Sequence, residues 1–184
     1  ARLIDRPLRP CFPKRFHHDV QIILNVLSYD ENVSVEHLSI IAASAALSIS
    51  DIPFNGPIGA ALVGYIDNKF VINPTPSQLE SSDLHLVVAG NAEAVLMVEA
   101  GANELSEEQL IEGIELGHEA IKLSIDLQNQ IVEQVSPTKI ELPGQPAQYD
   151  DYYQKISSFL SGKISDVFLN SSSKANIESA LSTI

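Results

Sequence analysis

Hydrophobic positions change their spacing along the chain, and the changes mark out its elements. Val20, Ile22, Ile23, Leu24 and Val26 form a dense apolar run bounded by Asp30-Glu31-Asn32, which predicts a buried β-strand over 20–26. Ser34 then supplies an N-cap, and 35–49 continues without Gly or Pro, which predicts a helix. Its residues are apolar or small nearly all round, with Ser39, Ser44 and Ser48 set among Leu, Ile and Ala, so burial on more than one side is expected. After a rigid turn containing Pro53, Gly56, Pro57 and Gly59, apolar runs at 60–66 and 69–72 flank Asp67-Asn68, a hairpin signal. A second pair of runs, 84–89 and 94–99, flanks Gly90-Asn91. These four runs read as an antiparallel meander covered by the 35–49 helix, an α+β architecture.

The rhythm then lengthens. Ser106-Glu107-Glu108-Gln109 is a capping box, and Leu110, Ile114, Ile121, Ile125, Ile131 and Val132 carry an apolar stripe as far as about Val135, before the stop at Pro137. Pro137, Pro143, Gly144 and Pro146 mark a linker. Beyond it, 149–184 predicts two or three short polar helices separated by Ser171-Ser172-Ser173. The expected organisation is an α+β domain over 1–136 and a small all-helical region over 137–184.

The first fifteen residues fit neither pattern. Pro7, Pro10 and Pro13 fix φ at every third position and disfavour helix at the residues before them, so an extended course is expected beyond Arg6. Here charge changes the picture. The chain has 184 residues and a formal net charge of -13, yet positions 1–20 hold five basic and two acidic residues against six and twenty-two thereafter. The acidic balance argues against generic nucleic-acid binding, but at physiological salt the Debye length is ~8 Å, so a basic island can act locally. Arg2, Arg6 and Arg9 are therefore the candidate RNA- or phosphate-binding residues, because each planar guanidinium can grip a phosphate through two hydrogen bonds. The alternative is bracing: Arg2 and Asp5, three apart, could form a simple ion pair. Each arginine on a single-stranded phosphate contributes ~1.5–3 kcal/mol and about 0.7 of a unit of salt slope.

Other chemistries find little support. Gly56-Pro57-Ile58-Gly59 lacks the Lys and Ser/Thr of a phosphate loop and leads into a strand rather than a helix. His17 and His18 are adjacent, and His37, His85 and His118 are scattered, so no metal set is visible. Cys11 has no neighbouring base and reads as a small buried thiol; as the only cysteine it excludes an internal disulfide and points to a reducing, cytoplasmic compartment. Glu107, Glu108, Glu112, Glu115 and Glu119 read as the wet face of the long helix. No apolar run approaches the ~20 residues of a membrane span, so no membrane partner is expected. A first residue other than Met suggests an interior piece of a longer protein.

Arg2-Leu3-Ile4-Asp5-Arg6-Pro7-Leu8-Arg9-Pro10, then Phe12-Pro13-Lys14, resembles a segment of the first RNase PH-type domain of the bacterial polynucleotide phosphorylase family. The likeness continues through Ala42–Ser48, Asp51–Ala60, Val63–Ile66, Asn73-Pro74-Thr75, Leu86–Gly90 and Val95–Glu99, covering 2 to about 135; Cys11 and Arg15 depart from the usual pattern. The resemblance implies a homotrimeric ring that shortens RNA from its 3′ end, with inorganic phosphate as the attacking group and nucleoside diphosphates as products. It places 1–136 in the C-terminal part of that first domain and 137–184 in the helical linker. It also puts the phosphate site and the metal-binding carboxylates in a second RNase PH-type domain. No catalytic or metal residue is then expected here. Magnesium or manganese is expected in the parent, and Arg2, Arg6 and Arg9 match positions that guide RNA. Partners in an RNA-degradation complex also follow from the likeness. Two alternatives stand beside it: a non-catalytic RNase PH-like ring subunit kept for assembly, and an acidic protein-binding module using the 106–135 helix.

Overall fold

The computed structural model describes residues 1–144, 146, 148–171 and 173–184, which form two units, Ala1–Leu142 and Pro143–Ile184. In the first unit a four-stranded antiparallel sheet is built from β1 (Gly59–Ile66), β2 (Lys69–Ile72), β3 (Leu84–Gly90) and β4 (Val95–Ala102). The strand order is β2-β1-β3-β4, so the two hairpins join through β1 and β3 rather than running as a meander. Asp67 and Asn68, at φ 49° and 60°, make the tight β1–β2 turn for which they were singled out.

Both faces of the sheet are covered, which is why β1 and β3 are buried at nearly every position instead of at alternate ones. On one face Leu62, Val87, Ala89 and Met97 meet Ile40, Ala43 and Leu47 of α2 (Val35–Ile49) and Leu8 of the N-terminal helix α1 (Arg2–Leu8). On the other, Val63, Leu84, Leu86 and Val88 meet Leu110 and Ile114 of α4 (Glu107–Val135), and Ala61 meets Ile121 and Ile125. α2 begins at the Ser34 cap, α4 opens on the capping box of Ser106 and Gln109, and a single-turn α3 (Pro76–Leu79) links the hairpins. Gly113 and Gly117 let α4 lie close to the sheet: a Cβ on Gly117 would stand 2.7 Å from Val88 Cγ2.

Three expectations need correction. The N-terminal stretch is helical as far as Leu8 and continues as a 3₁₀ turn over Arg9–Cys11, with Pro7 inside the helix. Leu3, Ile4, Pro7, Leu8 and Cys11 recur at helical spacing and pack on the core; burying them outweighs the proline's missing donor. The run at 20–26 forms no ladder, and Ile22, Ile23, Leu24 and Val26 are exposed, because β-propensity without a neighbouring strand makes no sheet. Residues 137–142, assigned by sequence to the second region, are held by the first: Ile140 N–H donates to Asp51 O at 2.8 Å.

The described residues of the second unit form three helices, α5 (Tyr149–Leu160), α6 (Lys163–Asn170) and α7 (Lys174–Thr183). Of the serine break predicted between them, Ser172 lies outside the described residues.

Candidate nucleic-acid interface

Helical spacing decides where the arginines point. Arg2, Arg6 and Arg9 are four and three apart, a separation that puts them on one side of a helix, and all three are exposed while Pro7 and Leu8 face the core. An extended chain would have scattered them. The structure therefore overturns the expected backbone course and groups the three predicted residues more tightly than that course would have done.

Their partners differ. Arg9 grips Asp5 through both its Nε and Nη2, at 3.1 and 2.7 Å, one helical turn apart. Arg6 Nη1 donates to Glu99 Oε2 of β4 at 3.2 Å, tying α1 to the edge of the sheet. The Arg2 side chain makes no hydrogen bond or ion pair among the described residues. The pair considered from sequence, Arg2 with Asp5, does not form, since Asp5 is taken by Arg9. Both ion pairs are solvent-exposed, with Arg6 53% and Arg9 76% exposed at the side chain, so an anion can compete for them.

Beside Arg9 lies an open cleft of roughly 360 Å³, bounded by Asp5, Arg9, Phe12, Phe16, His18 and Asp19. Phe12 and Phe16 are nearly parallel, with centroids 6.3 Å apart and planes at 14°, and His18 packs on Phe16 at 5.3 Å. A row of rings beside the Arg9 guanidinium suits a single strand, with bases stacking on the rings and a phosphate meeting the arginine in place of Asp5. The sequence reading missed these rings and the Glu99 partner. The helical spacing of Leu3, Ile4, Pro7 and Leu8 was the available signal for the arginine face; nothing local announced a contact with a residue 93 positions away.

Cys11 is buried, its Sγ lies 3.5 Å from Pro7 O, and burial pushes its thiol up from the ordinary value, which suits a packing role. His118 Nε2 lies 3.0 Å from Asn91 O, a structural contact between α4 and the β3–β4 turn. Among the described residues no group of three or more His, Cys, Asp and Glu stands where it could hold a metal ion. No described helix is long and apolar enough to cross a membrane.

The model for domain 1 of the 3′ exoribonuclease family matches residues 1–53, and that for domain 2 matches 56–120. The polyribonucleotide nucleotidyltransferase of Heliobacterium modesticaldum is 53% identical over 143 residues, which is 78% of this chain and 20% of that protein. The protein of the same name from Staphylococcus aureus (strain JH9) is 52% identical over 151 residues, 82% of this chain and 21% of its own length. The chain thus spans about a fifth of the length of these relatives.

Proposed function

The chain belongs to the 3′ exoribonuclease family, with its RNase PH-type domains, and on that premise we propose that it serves a polyribonucleotide nucleotidyltransferase as an RNA-holding and assembly portion. In that enzyme inorganic phosphate attacks the phosphorus of the 3′-terminal linkage of single-stranded RNA, the 3′ oxygen of the shortened chain is displaced as its hydroxyl, and the terminal nucleotide is released as a nucleoside diphosphate. Phosphoryl transfer depends chiefly on positioning and charge stabilisation, so arginines that align the strand contribute without touching the reacting atoms.

The observation that supports this reading is the common exposed face of Arg2, Arg6 and Arg9, of which Arg9 borders the ring-lined cleft. The magnesium or manganese expected in the parent is assigned no residue and no step in this chain. Homotrimeric assembly, a cytoplasmic location, and partners in RNA degradation belong to the same proposal.

The test is RNA binding measured against salt. Changing Arg6 and Arg9 together to Ala weakens oligoadenylate binding and lowers the salt slope by roughly 1.4 units, and Arg2→Ala alone lowers it by about 0.7. Unchanged affinity and slope would return the arginines to bracing α1 against Asp5 and β4. Phosphate-dependent release of nucleoside diphosphate from oligoadenylate, compared between this chain and the full-length protein, tests whether the reacting centre lies outside it.

A further inference from the structure

Helix α4 carries two apolar stripes, and only one of them is used by the fold. Leu110, Ile114, Ile121 and Ile125 face the sheet. The second, Leu116, Leu123 and Leu127 with Ala120, which also touches the inner cluster, advances by four, three and four residues, the spacing of a coiled-coil seam, and ends on the polar Gln130. Its leucines are in water: Leu116 is 39%, Leu127 58% and Leu123 80% exposed. Across from them Leu38 and Ile41 of α2 form the second wall of a groove of roughly 510 Å³ that runs along this stripe.

Charge along the seam selects what fits. Glu112, Glu119, Asp126 and Glu133 recur every seven residues, all exposed, in a row along one flank of the stripe. The other flank is closed by the molecule itself, at buried Gly117 and at Ser124, whose hydroxyl donates to Ile121 O. Over its length α4 has seven acidic residues against the single base Lys122, and Lys122 is paired with Glu119. A second copy of this helix would set two acidic rows side by side, on chains of net charge -13 each. A helix with apolar residues at seam positions and Lys or Arg facing the acidic row satisfies both features.

We infer that the outer seam of α4, with Leu38 and Ile41 of α2, is a docking groove for a basic amphipathic helix of a partner protein. The mode is helix-in-groove: the leucines supply contact area, and the sevenfold acidic row fixes register and excludes acidic competitors. The surface is separate from the arginine face and does not depend on the RNA reading.

The probe is a synthetic three-heptad helix with Leu at its seam positions and Lys at the flanking ones, read by fluorescence anisotropy against the whole chain, beside a counterpart with Glu for Lys. The Lys helix is expected to bind at least about tenfold tighter than the Glu helix at low salt, with the gap narrowing at high salt. Leu123→Ser with Leu127→Ser keeps the charge and removes the binding; both residues are exposed, and an unchanged melting curve verifies the fold. Replacing Glu112, Glu119 and Asp126 by their amides closes the gap between the two helices. Equal affinity for both helices, or full binding by the double serine variant, overturns the proposal. So does a dimer of the chain alone that the serine variant dissolves, since the groove would then be filled by a second copy. A Leu123→Cys variant that resists maleimide in the full-length protein overturns it too, because another segment of the same polypeptide would cover the seam.

Discussion

His37 is a buried polar side chain in a demanding environment. It sits in the first turn of α2 at 5% exposure, and its buried Nδ1 has no hydrogen-bond partner. Burial lowers its pKa from the ordinary 6.5, and the neighbouring Glu36 carboxylate opposes that shift without cancelling it. The helix N-terminus adds a further cost to a positive charge there. With the folded value depressed, the unfolded chain binds the proton more readily, so this residue removes stability as pH falls through 6.5 and leaves it untouched above. Urea melts at pH 7 and pH 5 check the sign. His37→Leu is expected to reduce the loss between those two conditions, and an identical loss in the variant would place the acid sensitivity elsewhere. The arginines teach a different lesson at this scale. Arg2, Arg6 and Arg9 were legible as a cationic group from charge alone, but their shared face depends on a helix that the prolines concealed, and Glu99 comes from another element altogether.

At the scale of elements, close approach governs α4. A helix ordinarily gains about 1 kcal/mol when Gly becomes Ala. At Gly117 the new methyl would meet Val88 Cγ2 at 2.7 Å and Val63 Cγ2 at 3.1 Å, in the middle of the sheet contact. Gly117→Ala is therefore expected to lose roughly 1–3 kcal/mol of stability, as overpacked cores do. Gly113→Ala, whose nearest atoms lie at 3.2 Å, is expected to lose less. If denaturant midpoints show Gly117→Ala as stable as the parent, α4 lies farther from β3 than described. The helices at 35–49 and 107–135 were readable because their signals are local, in the Ser34 cap and the Ser106–Gln109 box. So were the hairpins, whose turns carry Asp67-Asn68 and Gly90-Asn91. The strand predicted over 20–26 failed for the opposite reason. Its composition suits a sheet, but a ladder needs a second chain segment alongside, and no composition supplies one. The β1–β3 pairing escaped the sequence in the same way, since it joins segments separated by β2 and α3.

Across the whole molecule, the last residues of the first unit are tied back by one lysine as well as by backbone. Composition changes at Pro137, but the unit extends to Leu142, and within that stretch Lys139 reaches back to the end of α2 beside the Ile140–Asp51 hydrogen bond. Its Nζ donates to Leu47 O at 3.1 Å, Ser48 O at 2.9 Å and Ser50 O at 2.8 Å, three carbonyls at the C-terminal end of the helix, where Leu47 O also accepts from Ser50. Partial burial lowers the pKa of this ammonium and Asp51 opposes that shift, so the contact places a partly buried cation at the negative end of the helix. Removing the charge while keeping the stem, as Lys139→Met, is expected to cost on the order of 2 kcal/mol, the scale of hydrogen bonds from a charged donor. Global stability alone would not locate the effect. Limited proteolysis does: with Lys139 in place, 137–142 is protected along with the sheet, and in the Met variant cleavage opens within that stretch while β1–β4 stay resistant. Equal cleavage of 137–142 in both proteins would mean that the Ile140–Asp51 hydrogen bond holds the stretch unaided, and the boundary would then rest on backbone pairing instead of charge.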